Sequence, residues 1–381
     1  MTNSLRQPTF YYIGLVSFIL FFFKIELVWY YPSSIFKYLA LLTLTIHLFL
    51  SIQKYDIRQL LMIAVVALLV IYVGINAHEI TKLSLSFALI VGAIDIDFRN
   101  ILKVCFLTGF SLCLISLVGS SIGLIENKVV YASMDSMEMM GSSNVKRYSY
   151  GYGWPTGCAI HISFVCIIYW VIRDGLLKWR EIMCFLFAFW FTFHYTQARQ
   201  AAIIILLLII ISFYMYYRYK RRKPVPRYLS YVLILSIPLF AVISVVGTSL
   251  YDASDMLWIA ANIVFSNRLQ LGYDAIDQYG FPWFGQYFEM IGGDTSYEYN
   301  YVDSSYVQMY LLWGIVMTTL LLILYFFISL KAYKRGDIAL LFTIMLAGLS
   351  SITSQYLFQI MSCPLLLALF AQHSDRDLEY N

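Results

Sequence analysis

Three observations predict an all-α fold, a polytopic bundle of membrane-spanning helices. Of the 381 residues, 61% are hydrophobic and 13% charged, whereas a soluble domain carries about a quarter charged residues. The apolar runs extend for about 16 to 24 residues, the length an α-helix needs to cross a hydrocarbon core of about 30 Å. These runs are continuous, unlike the short alternating strands of an outer-membrane barrel.

Twelve spans are expected, near residues 9–23, 34–52, 57–76, 80–95, 101–124, 155–173, 180–196, 199–217, 229–250, 305–330, 337–352 and 355–371. The fourth carries Lys82, Ser84 and Ser86, and only "SITSQY" separates the last two, so an eleven-helix count stays open. The chain is read as a single polytopic membrane domain with two long loops on the outer face, 126–154 and 252–304.

Charge orients the bundle. With the N-terminus inside, 18 of the 26 basic residues fall on cytoplasmic segments, among them the cluster "RYKRRKPVPR" at 218–227. The positive-inside rule then places both termini in the cytoplasm, and the cluster acts as a topology anchor on anionic inner-leaflet lipid. The first apolar run leads into further spans without an A-x-A-like site, so insertion by the protein's own helices is expected rather than a cleaved signal peptide.

All six cysteines lie within expected spans and none forms a C-x-x-C pair, which argues against a disulfide framework or a zinc site. The five histidines include no H-E-x-x-H helix. No cofactor or metal is expected, and nothing points to nucleic acid.

The 252–304 loop holds eight acids against one base, Arg268, together with twelve aromatic residues. It is too aromatic for a disordered linker. Within it "NRLQLGYDAIDQYG" spaces Leu269, Tyr273 and Ile276 at helical intervals before Gly280, so a short surface helix is expected. Aromatic rings beside carboxylates suit sugars, but tyrosine and tryptophan also gather at headgroup depth for physical reasons alone.

Arg199 opens span eight on the outer face, where the positive-inside rule does not favour it. It either snorkels to the outer headgroups or faces the bundle interior. In the second case a guanidinium fork beside unpaired amides at a helix N-terminus suits phosphate. Gln197 and the helix start would supply supporting donors. His194, one turn earlier, is read as an interfacial histidine.

Four stretches resemble the O-antigen ligase and polymerase superfamily, the Wzy-type polysaccharide polymerases. "TQARQAAIIILLLIII" (196–211) is similar to their Ser/Thr-x-x-Arg helix start, and "KRYSYGYGWPTGCA" (146–159) to their Arg-x-x-x-Gly-aromatic-x-x-Pro stretch. "NRLQLGYDAIDQYGFPWFGQ" (267–286) is similar to their Arg-x-x-x-x-x-x-Ala stretch ending in aromatic-Gly. "VDSSYVQMYLLWGIV" (302–316) resembles their Asp-Asn-x-Tyr motif, or His-Asn-x-Tyr in the ligases. The likeness covers roughly 140–320. The sequence departs from it at Ala198, where a serine is usual, and at Ser304, where asparagine is frequent.

The resemblance implies a fold like the C-superfamily membrane glycosyltransferases and a polymerase acting on undecaprenyl-pyrophosphate-linked oligosaccharide repeat units (capsule, exopolysaccharide or O-antigen) at the outer face of the cytoplasmic membrane. The growing chain would pass en bloc to the next lipid-linked unit, with a flippase and a chain-length regulator as partners. Arg199 and Arg268, and then Arg147, would bind the pyrophosphate and stabilise charge on the leaving group. Asp303 would act as general base or orienting group, or would cap the tenth helix. Glu289, Asp294 and Glu298 are fallback acids, and Tyr306 would orient sugar or face lipid.

Two rivals remain. A ligase is the nearer one, and Asp303 at the ligases' histidine position favours the polymerase. A lipid-oligosaccharide flippase fits the helix count, but the two halves show no repeat and the elaboration is concentrated in one late outer loop.

Overall fold

In hydrocarbon every backbone N–H and C=O must bond within the protein, so long charge-poor runs of leucine, isoleucine and phenylalanine wind into helices. A computed structural model describes residues 2–131, 146–221, 224–292 and 299–373. The helices are α1 (Thr2–Phe23), α2 (Ser33–Ser51), α3 (Ile57–Asn76), α4 (Ile80–Gly92), α5 (Phe98–Ser121), α6 (Pro155–Ile172) and α7 (Trp179–Phe191). They continue with α8 (Arg199–Lys220), α9 (Arg227–Ser249), α10 (Met256–Val264), α11 (Arg268–Tyr279), α12 (Ser305–Leu312), α13 (Gly314–Lys334) and α14 (Ile338–Ser350).

Among the described residues eight helices are long and apolar enough to cross a membrane, and α4 and α14 are shorter apolar helices. Helix α6 is the hub, with 78% of its most apolar window buried, against 17% for α3. Its Trp170, fully buried, donates to Ser212 Oγ on α8 at 2.6 Å. Helix α3 instead turns Leu61, Val65 and Leu68 outward. An apolar outer face of this kind suits lipid.

Helix succession sorts the connections onto two ends of the bundle. One end gathers the basic residues and is braced by Lys54–Asp95 at 3.1 Å and Arg99–Asp174 at 2.5 Å. Helices α5 and α14 start there with Asp97 and Asp337 accepting from backbone amides of their first turns. Such caps satisfy N–H groups that have no partner inside the helix. The opposite end carries the two long segments. The first holds a two-stranded antiparallel pair, β1 (Val129–Tyr131) with β2 (Lys146–Tyr148), and the second holds α10 and α11.

Three expected spans take a different form. Residues 355–371 do return to the basic end, where Phe98 N bonds Gln372 O at 2.8 Å, but as turns and a short 3-10 helix, Pro364–Leu369. Serines, glutamines and Pro364 interrupt the run. Non-helical backbone is tolerated at this depth because Leu357, Phe358 and Ile360 are buried in protein rather than facing lipid. The expected span 305–330 is broken at Trp313, so that the crossing helix is α13 and α12 is a separate buried turn of helix. Span 180–196 ends its α-helix at Phe191 and continues as a π-helical turn, Thr192–Thr196.

The α12–α13 break is sealed by the 281–286 loop. Ile315 N bonds Pro282 O at 2.8 Å, Val316 N bonds Trp283 O at 3.1 Å, and Gln286 N bonds Leu312 O at 3.0 Å. Gly314 makes this possible: its φ is +79°, and a Cβ there would lie 2.5 Å from Gly285 N. Gly314→Ala should therefore cost more than about 1 kcal/mol and lower the thermal midpoint of the detergent-solubilised protein. Gly247→Ala, on α9 with open space around it, is the matched control and should leave the midpoint unchanged or raise it.

Candidate functional site

The α7–α8 corner is built to present Arg199. The π-helical turn closes with Thr196 Oγ1 donating to Thr192 O at 2.6 Å, and Gln197 then takes a left-handed conformation at φ 52°. Gln197 donates one amide hydrogen to His194 O, 2.9 Å away, which braces the corner. Helix α8 starts at Arg199 after Ala198, which gives no side-chain cap. The next residue, Gln200, anchors the corner by donating to Ser350 O and, at 3.1 Å, to Ser350 Oγ at the end of α14. Arg199 itself stays exposed.

Arg147 arrives from β2. Its Nε donates to Thr196 O at 3.1 Å, so the hairpin lies across the α7–α8 corner. Tyr148 and Tyr150 pack around Tyr195 with ring centroids 6.3 and 6.2 Å apart. Burial lowers the Arg147 pKa, and repulsion from Arg268 and Arg199 lowers it further. Of the three outer arginines expected from the sequence, Arg147 thus lies within electrostatic reach of the other two.

Arg268 is the first residue of α11. Left-handed Ser266 and Asn267 turn the chain out of α10, and buried Asn262 holds the turn by accepting from Gln270 N at 3.1 Å. Gly272 lets α11 approach Thr248 on α9, where a Cβ would come within 2.6 Å of Thr248 Cγ2. From there Arg268 Nε donates to Asp303 Oδ2 at 2.8 Å, with both side chains about a quarter exposed (22% and 25%). Asp303 does not cap α12: Ser304 occupies that position and hydrogen-bonds Ser244 Oγ at 2.8 Å. Burial raises the Asp303 pKa, and Arg268 opposes the rise through charge and hydrogen bond.

Other expected positions fall elsewhere. Tyr306 has no exposed surface and donates to Gly348 O at 3.0 Å, so it packs α12 on α14 and touches neither sugar nor lipid. His194 stacks on Trp190, 5.7 Å between centroids. Glu289 is exposed, and its carbonyl accepts from Asn300 Nδ2 at 2.9 Å. Asp294 and Glu298 lie outside the described residues. No group of three or more histidine, cysteine, aspartate or glutamate side chains that could hold a metal occurs among the described residues.

The structure adds residues that the motifs did not single out. Tyr299 lies close enough to Asp303 and Arg268 to feel both, and burial followed by the Asp303 charge pushes its hydroxyl up to about 12. Tyr301 donates to Gln355 Oε1. Their signal was the alternating tyrosine run "YEYNYVD" ahead of α12. Gln355 and Tyr356 gave none, because they sit in a segment expected to be a membrane helix.

Among the described residues the Asp303 carboxylate pairs with Arg268, and Arg147 lies within electrostatic reach of Arg268 and of Arg199 at the start of α8. Guanidinium groups and free helix-start amides are the groups that bind oxyanions. The Arg268–Asp303 pair also fixes α11 against the entry to α12. Arg268→Ala should destabilise the protein by about 1–3 kcal/mol, because a largely desolvated carboxylate loses its partner. The double variant Arg268→Ala/Asp303→Asn should recover part of that loss in thermal unfolding. Strictly additive single effects would show that the pair is not coupled.

The chain matches no protein-family model, no curated protein and no solved structure.

Proposed function

We propose that the protein is a membrane glycosyltransferase that polymerises saccharide units carried on a polyprenyl pyrophosphate. The reading rests on one observation above all: Arg147 lies within electrostatic reach of both Arg199 and Arg268, from three separate parts of the chain, and Arg268 pairs with Asp303. Arg147 feels repulsion from both other arginines. A pyrophosphate leaving group would lower that repulsion.

In the reaction, an acceptor hydroxyl oxygen attacks the anomeric carbon of the donor sugar. The bond from that carbon to the phosphate oxygen breaks, and the electron pair leaves with the pyrophosphate. Charge on the departing group grows along this path, so fixed guanidinium groups stabilise the transition state more than the ground state. Asp303 accepts the hydroxyl proton or aligns the hydroxyl for attack. An apolar groove of about 360 Å³, lined by Met62, Val66, Leu83, Phe87, Leu320 and Leu324 among others, would suit a hydrocarbon chain. The basic residues gathered at the other end support placing the arginines on the extracytoplasmic side.

Deletion of the gene, complemented with variants, tests the reading. Arg199→Ala, Arg268→Ala and Asp303→Asn should each reduce polymer by about 100-fold or more and leave single lipid-linked units on the outer leaflet. Arg199→Lys should restore little, since an ammonium lacks the guanidinium fork. Units retained on the inner leaflet would favour a flippase, and wild-type polymer from all three variants would sink the assignment.

A pH profile gives a second test. Burial holds the Asp303 carboxyl above the ordinary aspartate range. Its reactive carboxylate is therefore lost as pH falls through that raised pKa, at a higher pH than for a solvated aspartate near 3.9. Polymerisation in membrane vesicles should show this acid limb, Asp303→Glu should move it, and Asp303→Asn should abolish it together with most of the rate.

A further inference from the structure

A second cavity, of about 380 Å³, is lined in part by Tyr301 and Gln355, and Tyr301 lies within electrostatic reach of Asp303. Its walls come from the end of α1, the α3–α4 turn, α12 and the irregular 355–361 segment. The size falls within the usual range for small-molecule sites, about 300–1,000 Å³.

The lining is largely apolar with a polar set among it: Glu26, Glu79 and Lys82 are ionisable, while Gln308, Gln355 and Gln359 are amides. Lys82 is neutralised by Glu79 at 2.8 Å, and the second oxygen of Glu79 accepts from Trp313 Nε1 at 2.8 Å. Glu26 is different. Among the described residues its carboxylate accepts one hydrogen bond, from Tyr356 at 3.1 Å, which leaves acceptor capacity at the cavity wall. Gln359, also on the wall, has a buried Oε1 with no hydrogen-bond partner among the described residues. Phe18, Phe22 and Phe358 supply ring surface.

We infer that this cavity is a saccharide subsite, in which Glu26 accepts from sugar hydroxyls, the glutamine amides complete the polar contacts and the phenylalanines pack on the sugar's C–H face. Amides and a carboxylate interleaved with rings suit a neutral, hydroxyl-rich ligand. A phosphate would meet two carboxylates and one already paired ammonium. The inference rests on the functional reading above and assigns the cavity to the acceptor. Asp303 stands between the two halves: it is bonded to Arg268 on one side and lies within electrostatic reach of Tyr301, which lines the cavity, and of Tyr356, which holds Glu26. An acceptor sugar held there would offer its hydroxyl to Asp303, facing the donor's pyrophosphate.

The test uses lipid-linked units extracted from the deletion strain as the probe, added to membrane vesicles containing the full-length protein. Glu26→Gln keeps the side-chain shape, and Thr81→Trp fills the cavity from its rim on α4. Both should raise the KM for the added units about tenfold or more while changing kcat much less, with thermal midpoints near wild type. A purely structural role for Glu26 would move the midpoint and not KM. If both variants keep the wild-type KM while Arg199→Ala and Asp303→Asn abolish polymer, the subsite is overturned and the polymerase reading stands. If Arg199→Ala and Asp303→Asn also make normal polymer, or if no lipid-linked unit accumulates in the deletion strain, the functional reading fails and the subsite falls with it.

Discussion

Every peptide group in this chain that lies at hydrocarbon depth must find its partner inside the protein, and the unusual parts of the structure are the places where an α-helix does not supply it. Where α12 stops at Trp313, the freed amides of Ile315 and Val316 bond the 281–286 loop. Where 355–363 crosses as turns, Ser305 Oγ accepts from Leu357 N at 3.3 Å, Tyr325 donates to Leu357 O at 2.8 Å, and Ser362 N bonds Gln359 O at 2.9 Å. These substitutes tie the second long segment, α12 and the 355–363 chain into one unit. That unit carries Asp303, Tyr301 and Gln355.

The same economy governs the charges. Bringing Arg147, Arg199 and Arg268 together costs repulsion, and the protein offsets part of it with the Thr196 carbonyl and the Asp303 carboxylate. The corners that hold the arginines are fixed by backbone-directed bonds: Gln197 to His194 O, Thr196 to Thr192 O, Gln200 to Ser350 O. On the proposed function, little reorganisation would be needed for an anion to enter, which is the condition under which fixed charges act strongly on a transition state.

The helical runs were legible because hydropathy and length report the cost of burying side chains, and that cost dominates over twenty residues. The last crossing was misread for the same reason. Residues 355–371 are apolar enough to sit at membrane depth, yet their interspersed serines, glutamines and Pro364 let the backbone turn once neighbours shield it. At the site, arginine positions could be picked out because an outer-face arginine beside an apolar helix is conspicuous. The contribution of Gln197 and Tyr306 was not legible. A glutamine before a helix and a tyrosine inside one look the same whether they face a ligand, the backbone or a core.

By itself the sequence determined that the chain crosses a membrane repeatedly as helices, that basic residues gather at one end, and that arginines and one aspartate stand at the edges of its apolar runs. Tertiary structure alone decided which of them meet. Arg268 and Asp303 are 35 residues apart, and Arg147 reaches a carbonyl 49 residues away, contacts that local periodicity cannot encode. It also decided that Asp303 pairs with an arginine instead of capping a helix. The physical reason is that an ion pair and a helix cap compete for the same carboxylate, and only the packing of α11 on α9 brings Arg268 close enough to win.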